Sequence, residues 1–279
     1  MSLTFKQSHR KTSAQLKRNP TRMRVNSFAV PSALLAVVLL AGGCTSILNI
    51  FRQGPDILPP ATDLYQTGEN ELNRRRYADA RTAFRRIVER HPQSDLAPRA
   101  RFLIGETFYR EAEFEKAIKE FEAFVAFYPR HAIADLVQYR LAMSYYDQIK
   151  PVEQDQALTG KALEAFKVLA REYPDSRYAA DALAKIDVCR GRLAQKELFI
   201  ASYYLNQGNR VATRQRLEGL LKEYPRTLVV PEALFRLAEI EAMDGRTQVA
   251  QETYGRLATE FAYTEWGRRA AQRLTTATR

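Results

Sequence analysis

The chain of 279 residues is poor in the side chains that chemistry most often recruits, with two cysteines, three histidines and one tryptophan. His9, His91 and His131 stand too far apart in sequence for any two to share a metal-ligand spacing. The segment GKAL, Gly160 to Leu163, lacks the upstream glycine and the Ser or Thr of a phosphate-cradling loop. No serine or cysteine sits in a nucleophile-elbow context. Carboxylates are plentiful but interleave with Lys and Arg, the pattern of solvated helix faces. These absences argue against an enzyme and against a cofactor. Long apolar runs are scarce too. The run from Phe28 to Ala41 is interrupted at Pro31 and Ser32, and falls short of the roughly 20 residues that span a bilayer.

Acidic residues are missing from the first 43 positions, which hold seven of the Lys and Arg. Of the net charge of +11, only +4 remains once that segment is set aside. Overall charge therefore gives no support to nucleic-acid binding. A basic stretch ending at Arg24, an apolar run and small residues form the layout of an export signal. Counted from Met23, it would be 21 residues long, so residues 1–22 read as a mis-assigned extension. Ala41-Gly42-Gly43-Cys44 resembles a bacterial lipobox, although Leu is preferred where Ala41 stands. The resemblance makes Cys44 the lipidated first residue of the mature protein. It also implies anchoring on the periplasmic face of the outer membrane, since Thr45 is not the Asp that retains lipoproteins at the inner one. Cys189, in a helical pattern, reads as a buried thiol with no disulfide partner. Residues 44–60 carry that cysteine and a tether closed by Pro55, Pro59 and Pro60.

From Ala61 the chain repeats. Helix-ending prolines recur at Pro92, Pro129, Pro174 and Pro225. Eight residues before each stands a large apolar residue: Phe84, Phe121, Phe166 or Leu217. Four before that is a small one (Ala80, Ala117, Ala162, Thr213), and three after it another apolar one (Ile87, Phe124, Leu169, Leu220). This i, i+4, i+7 spacing forms one helical stripe. Upstream, a second helical pattern carries Gly68, Gly105 or Ala142. The unit is a helix–turn–helix of 37 residues, close to the 34 of a tetratricopeptide (TPR) repeat. A fifth unit holds Leu234, Ala238, Ala250, Tyr254 and Leu257, and a last helix with Trp266 and Leu274 caps the end. The expected fold is an all-α, TPR-like solenoid of about five repeats with a C-terminal capping helix. Residues 61–175 form its N-terminal block and 176–279 its C-terminal block. Eight extra residues around QIKPVEQDQALTG predict a loop insertion broken by Pro151 and Gly160. The spacing of 51 between Pro174 and Pro225 predicts a long helix or a helix pair joining the two blocks.

In a TPR the first helix of each pair lines the concave face. Two positions outside its core set recur: Tyr65, Phe102 and Tyr139, then Leu72, Tyr109 and Tyr146, with seven residues between the two sets. They predict a mostly aromatic ladder flanked by Glu69, Arg99, Glu106 and Arg110, suited to an extended or hairpin peptide rich in aromatics. The same rings would equally serve as packing between repeats.

Secretion, lipobox, tether and irregular repeats together resemble the BamD-like outer-membrane protein assembly lipoproteins. The similarity is most specific from Tyr173 to Pro225, which includes the long fourth unit, and looser over roughly 60–275. The resemblance implies N-terminal repeats that receive unfolded outer-membrane protein precursors ending in an aromatic residue. It implies C-terminal repeats that dock on the barrel subunit BamA, alongside other assembly lipoproteins, through the region of Tyr203, Tyr204 and Arg216. The alternative is a TPR lipoprotein that scaffolds murein hydrolases or division proteins, which would share everything except the long fourth unit.

Overall fold

The computed structural model describes residues 58–277. Cys44, the signal segment 1–43 and nearly all of the tether lie outside the described residues. Eleven helices and no strand occur among the described residues. Units one to three pair α1 (Ala61–Asn73) with α2 (Tyr77–Arg90), α3 (Leu96–Arg110) with α4 (Phe114–Phe127), and α5 (Ala134–Tyr146) with α6 (Ala157–Glu172). Then come α7 (Ala179–Asn206) with α8 (Arg210–Glu223), α9 (Val230–Met243) with α10 (Thr247–Glu260), and the capping α11 (Glu265–Ala277). Each helix packs on the next in order, and the first helices of units one to three also touch one another. The result is a TPR-like α-solenoid.

The predicted stripe is its core. Phe84, Phe121, Phe166 and Leu217 are fully buried, as are Ile87, Phe124, Leu169 and Leu220 and the small residues Ala80, Ala117 and Ala162. Across each pair the opposing residue must be small. A Cβ added at Gly68 or Gly105 would lie 2.5 Å from the ring of Phe84 or Phe121, closer than packed carbon atoms allow. Ala142, Ala201 and Ala238 take the same place in units three to five and are buried.

Helix ends follow one recipe. His91, Tyr128, Tyr173, Tyr224 and Phe261 each donate a backbone N–H four residues back, to Ile87, Phe124, Leu169, Leu220 and Leu257, over 2.8–3.1 Å. In the first four the next residue is proline, which can donate no further bond and stops the helix. Between the helices of units one, two, four and five, one residue is left-handed, nine before the large core residue. It is Gly208 (φ 73°) and Gly245 (φ 80°) in units four and five, but Arg75 (φ 60°) and Ala112 (φ 56°) in units one and two, where the turn costs more.

Two expectations are refined. The insertion after α5 is an ordered loop, and α6 begins at Ala157, so Gly160 lies inside the helix and does not break it. Gln156 explains why: its buried side-chain amide donates to the carbonyls of Lys150, Pro151 and Gln154, and its oxygen accepts from the Thr159 hydroxyl at 2.7 Å. The long fourth unit contains a single helix of 28 residues, about 42 Å long at 1.5 Å per residue. Its first half packs with α6 around Ala182, Ile186 and Cys189. Its second half joins α8 and α9 around Ala194, Leu198 and Ala201.

Candidate functional site

The ladder residues stand on the first helices of units one to three, with their rings half-buried. Tyr65 lies edge-on to Phe84 (5.7 Å between ring centres), Phe102 is 6.1 Å from Phe121, and Tyr139 is 6.3 Å from Phe166. One side of each ring thus rests on the large core residue of its own unit, and each ring stays partly exposed, although Tyr178 also stacks on Tyr139. In the second row Tyr146 also lies edge-on to Phe166 at 5.9 Å, and Tyr109 to Phe114 at 5.5 Å. Leu72, by contrast, is buried in the core and offers little surface.

The hydroxyls run along the ladder. Tyr139 donates to Asp181 on α7 at 2.8 Å, and Tyr109 donates to Asp147 at the end of α5. Each therefore ties one first helix to the next. Burial and the nearby carboxylate raise both phenols, Tyr139 to about 12, so the rungs stay neutral across the physiological range.

Charge is arranged around them. Glu106 is buried, Arg110 donates to it at 3.1 Å, and the Arg140 guanidinium lies 3.0 Å from it. Arg140 also lies 5.1 Å from the centre of the Tyr109 ring, a cation–π distance. Glu69 and Arg99 are exposed beside Tyr65, and Arg99 forms no ion pair among the described residues.

In the C-terminal half, Tyr203 is exposed and meets the half-buried Tyr204 edge-on at 5.7 Å. Arg216 is partly exposed and pairs with Glu197 on α7 at 3.1 Å. Phe199 and Val211 are also exposed on α7 and α8.

Several contributors escape sequence reasoning. Tyr178 stacks on Tyr139 at 4.7 Å, and Tyr145 donates to Glu122 at 2.9 Å. Neither they nor Arg140 recur with the period, so the repeat carries no signal for them. No cluster of His, Cys, Asp and Glu suited to a metal occurs among the described residues, and no described helix is long and apolar enough to cross a membrane.

Residues 59–257 match the YfiO family, described as outer membrane lipoprotein. A Caulobacter vibrioides protein described as outer membrane protein assembly factor BamD is 31% identical over 85% of this chain and 78% of its own length. One of Rickettsia prowazekii with the same description is 30% identical, covering 84% of this chain and 92% of its own. Among solved structures, a thermophilic TPR protein of Thermus thermophilus is 20% identical, covering 78% of this chain and 99% of that one at a TM-score of 0.34. With the match extending over most of its length and all of its complete repeats but the last few residues, the chain is BamD-like and belongs to the YfiO family of outer membrane lipoproteins.

Proposed function

We propose that the protein is a non-catalytic assembly factor for outer-membrane proteins, which captures unfolded precursors and hands them to a barrel-inserting partner. The observation that carries the first half is the row of half-open rings on the first helices of units one to three, with the unpaired cation of Arg99 beside it. An aromatic chain terminus can rest its ring on such a row while its carboxylate meets a guanidinium. Capture of this kind is non-covalent and weak enough to permit release. Cys44 serves as the lipidated anchor, and 44–60 lets the solenoid stand off the membrane. The N-terminal block, 61–175, receives the precursor. The C-terminal block, 176–279, docks on a BamA-like subunit through Tyr203, Tyr204 and Arg216. The names borne by the curated relatives support the assembly role.

The capture step is tested with a fluorescent peptide copied from the end of a barrel protein and finishing in phenylalanine. Phe102→Ala with Tyr139→Ala should weaken its binding about tenfold, or about 1.4 kcal/mol, the sum expected of two aromatic contacts. Because both rings also touch core residues, Phe102→Leu with Tyr139→Leu is measured in parallel. Unchanged affinity in both variants, with the fold intact, would reduce the ladder to packing. For docking, Arg216→Glu should lower several-fold the amount of the large barrel subunit recovered with tagged protein from detergent-solubilised envelopes. Equal recovery would remove Arg216 from the interface.

A further inference from the structure

The two halves of α7 carry the same helical register twice. Helices α5, α7 and α9 begin after the same turn, in which the N–H of Ala134, Ala179 or Val230 bonds the carbonyl three residues earlier. Counted from that turn, Asp187 falls where Ala142 and Ala238 stand in α5 and α9, the place at which a first helix receives its second. No second helix arrives. α7 instead runs 14 residues further to Ala201, which is buried against the unit of Leu217. An aspartate is tolerated at 187 because nothing packs on it; it is exposed.

The vacancy is visible as a cleft of about 1170 Å³ whose floor is the middle of α7. Tyr146 and Ile149 form one wall, and the turn after α8, residues 222–229, the other. That volume exceeds the roughly 300–1,000 Å³ usual for small ligands, so a polypeptide segment suits it better. Its apolar surface is unused: Val188 is 55% exposed and Leu228 97%. Leu183, 56% exposed, extends the same side of α7 by one turn.

Charge selects the occupant. Arg190, Arg192, Lys222 and Arg226 line the cleft against only Asp187 and Glu223. None of the four cations has an ion pair or hydrogen-bond partner among the described residues. Arg210, Arg214, Arg216, Arg236 and Arg246 of the same block are all paired. Four unpaired cations against two carboxylates, around exposed apolar residues, suit an acidic chain with an apolar stripe.

We propose that the middle of α7 is a docking site for an acidic amphipathic helix of a partner protein, seated where the repeat lacks its second helix. The site meets the aromatic ladder only at Tyr146 and does not include Arg216, and it stands whether or not Phe102, Tyr139 or Arg216 acts as proposed above. The probes are two labelled peptides of about 20 residues, long enough to hold a helix, with one leucine stripe and either Glu or Lys on the flanks. The full chain should bind the Glu peptide at least ten times more tightly than the Lys peptide at physiological salt. Arg190→Glu with Arg226→Glu should reverse that preference without moving the thermal midpoint, because both side chains are exposed and unpartnered. Leu228→Asp should weaken the Glu peptide several-fold, whereas Phe102→Ala with Tyr139→Ala should leave it unchanged. A charge-reversed variant with wild-type preference would overturn the proposal. So would phosphatidylglycerol vesicles that displace the Glu peptide and lose binding in the same variant, since the cations would then serve lipid headgroups.

Discussion

Phe121→Ala is expected to destabilise the protein by about 3–5 kcal/mol, the range for removing a large aromatic from a closed core. The ring is fully buried at the centre of unit two, between Phe102 on one side and the bare backbone of Gly105 on the other. The site cannot collapse to fill the hole. The backbones of α3 and α4 already approach as closely as a glycine permits, and units one and three hold them from both sides. Gly105→Val makes the opposite error. Its Cβ would stand 2.5 Å from the Phe121 ring, so the helices must separate, at a cost of about 1–3 kcal/mol. Helix propensity favours the substitution by only a few tenths of that, so packing decides the sign. Combining Gly105→Val with Phe121→Leu should cost clearly less than the sum of the two, because each relieves the other. Urea unfolding of the four proteins gives the coupling directly. Strict additivity would mean that glycine and ring do not share one space.

The same pair shows what sequence can and cannot disclose. Large, small and glycine positions recur because the backbone geometry of each unit is the same, so a period in sequence is a period in space. Every member of the stripe from Ala80 to Leu220 was therefore legible, including the helix-ending turns. What the period cannot carry is anything that happens once. Glu106 looks like a surface carboxylate by type, yet it is buried, because Arg140 of the next unit reaches across to it. Leu72 recurs in register with Tyr109 and Tyr146 but is too short to leave the core. Gly160 looks like a breaker, but Gln156 organises the loop before it and the helix absorbs the glycine. The ladder itself was legible as a row of positions. That one side of each ring rests on Phe84, Phe121 or Phe166 depends on rotamers, which no spacing encodes.

Arg214 carries the second large effect. It occupies the place three residues before the large core residue, where units two and three bury Ile118 and Leu163 and unit one has Arg81. In units one and four the arginine reaches a carboxylate six residues past the glycine or alanine of the following first helix, Glu111 or Asp244. Arg214 goes further, because its Nε also donates to the buried Glu241 at 2.9 Å. Arg210 donates to Asp244 at 2.6 Å, and Arg246 contacts both carboxylates. Arg214→Met should cost about 2–3 kcal/mol, toward the low end of a broken buried pair, since Arg246 still faces Glu241 and the site is 19% open. Arg81→Met should cost about 1 kcal/mol, because Glu111 is more exposed and can return to water. The difference between the two, read from urea midpoints, isolates the contribution of burying Glu241, and equal losses would refute that assignment. Acid provides a second readout. Hydrogen bonds from Arg210, and then from Arg214, hold the Asp244 carboxyl below its ordinary value of 3.8. A carboxylate so favoured adds stability at neutral pH, and that contribution is lost as pH falls from about the ordinary value through the lower folded one. Below that window the gap between the wild type and Arg214→Met should narrow, because protonating Asp244 removes one of the two carboxylates that the arginine holds. A gap that persists undiminished at the acid end would show that Arg214 works through the packing of its stem and not through its charge.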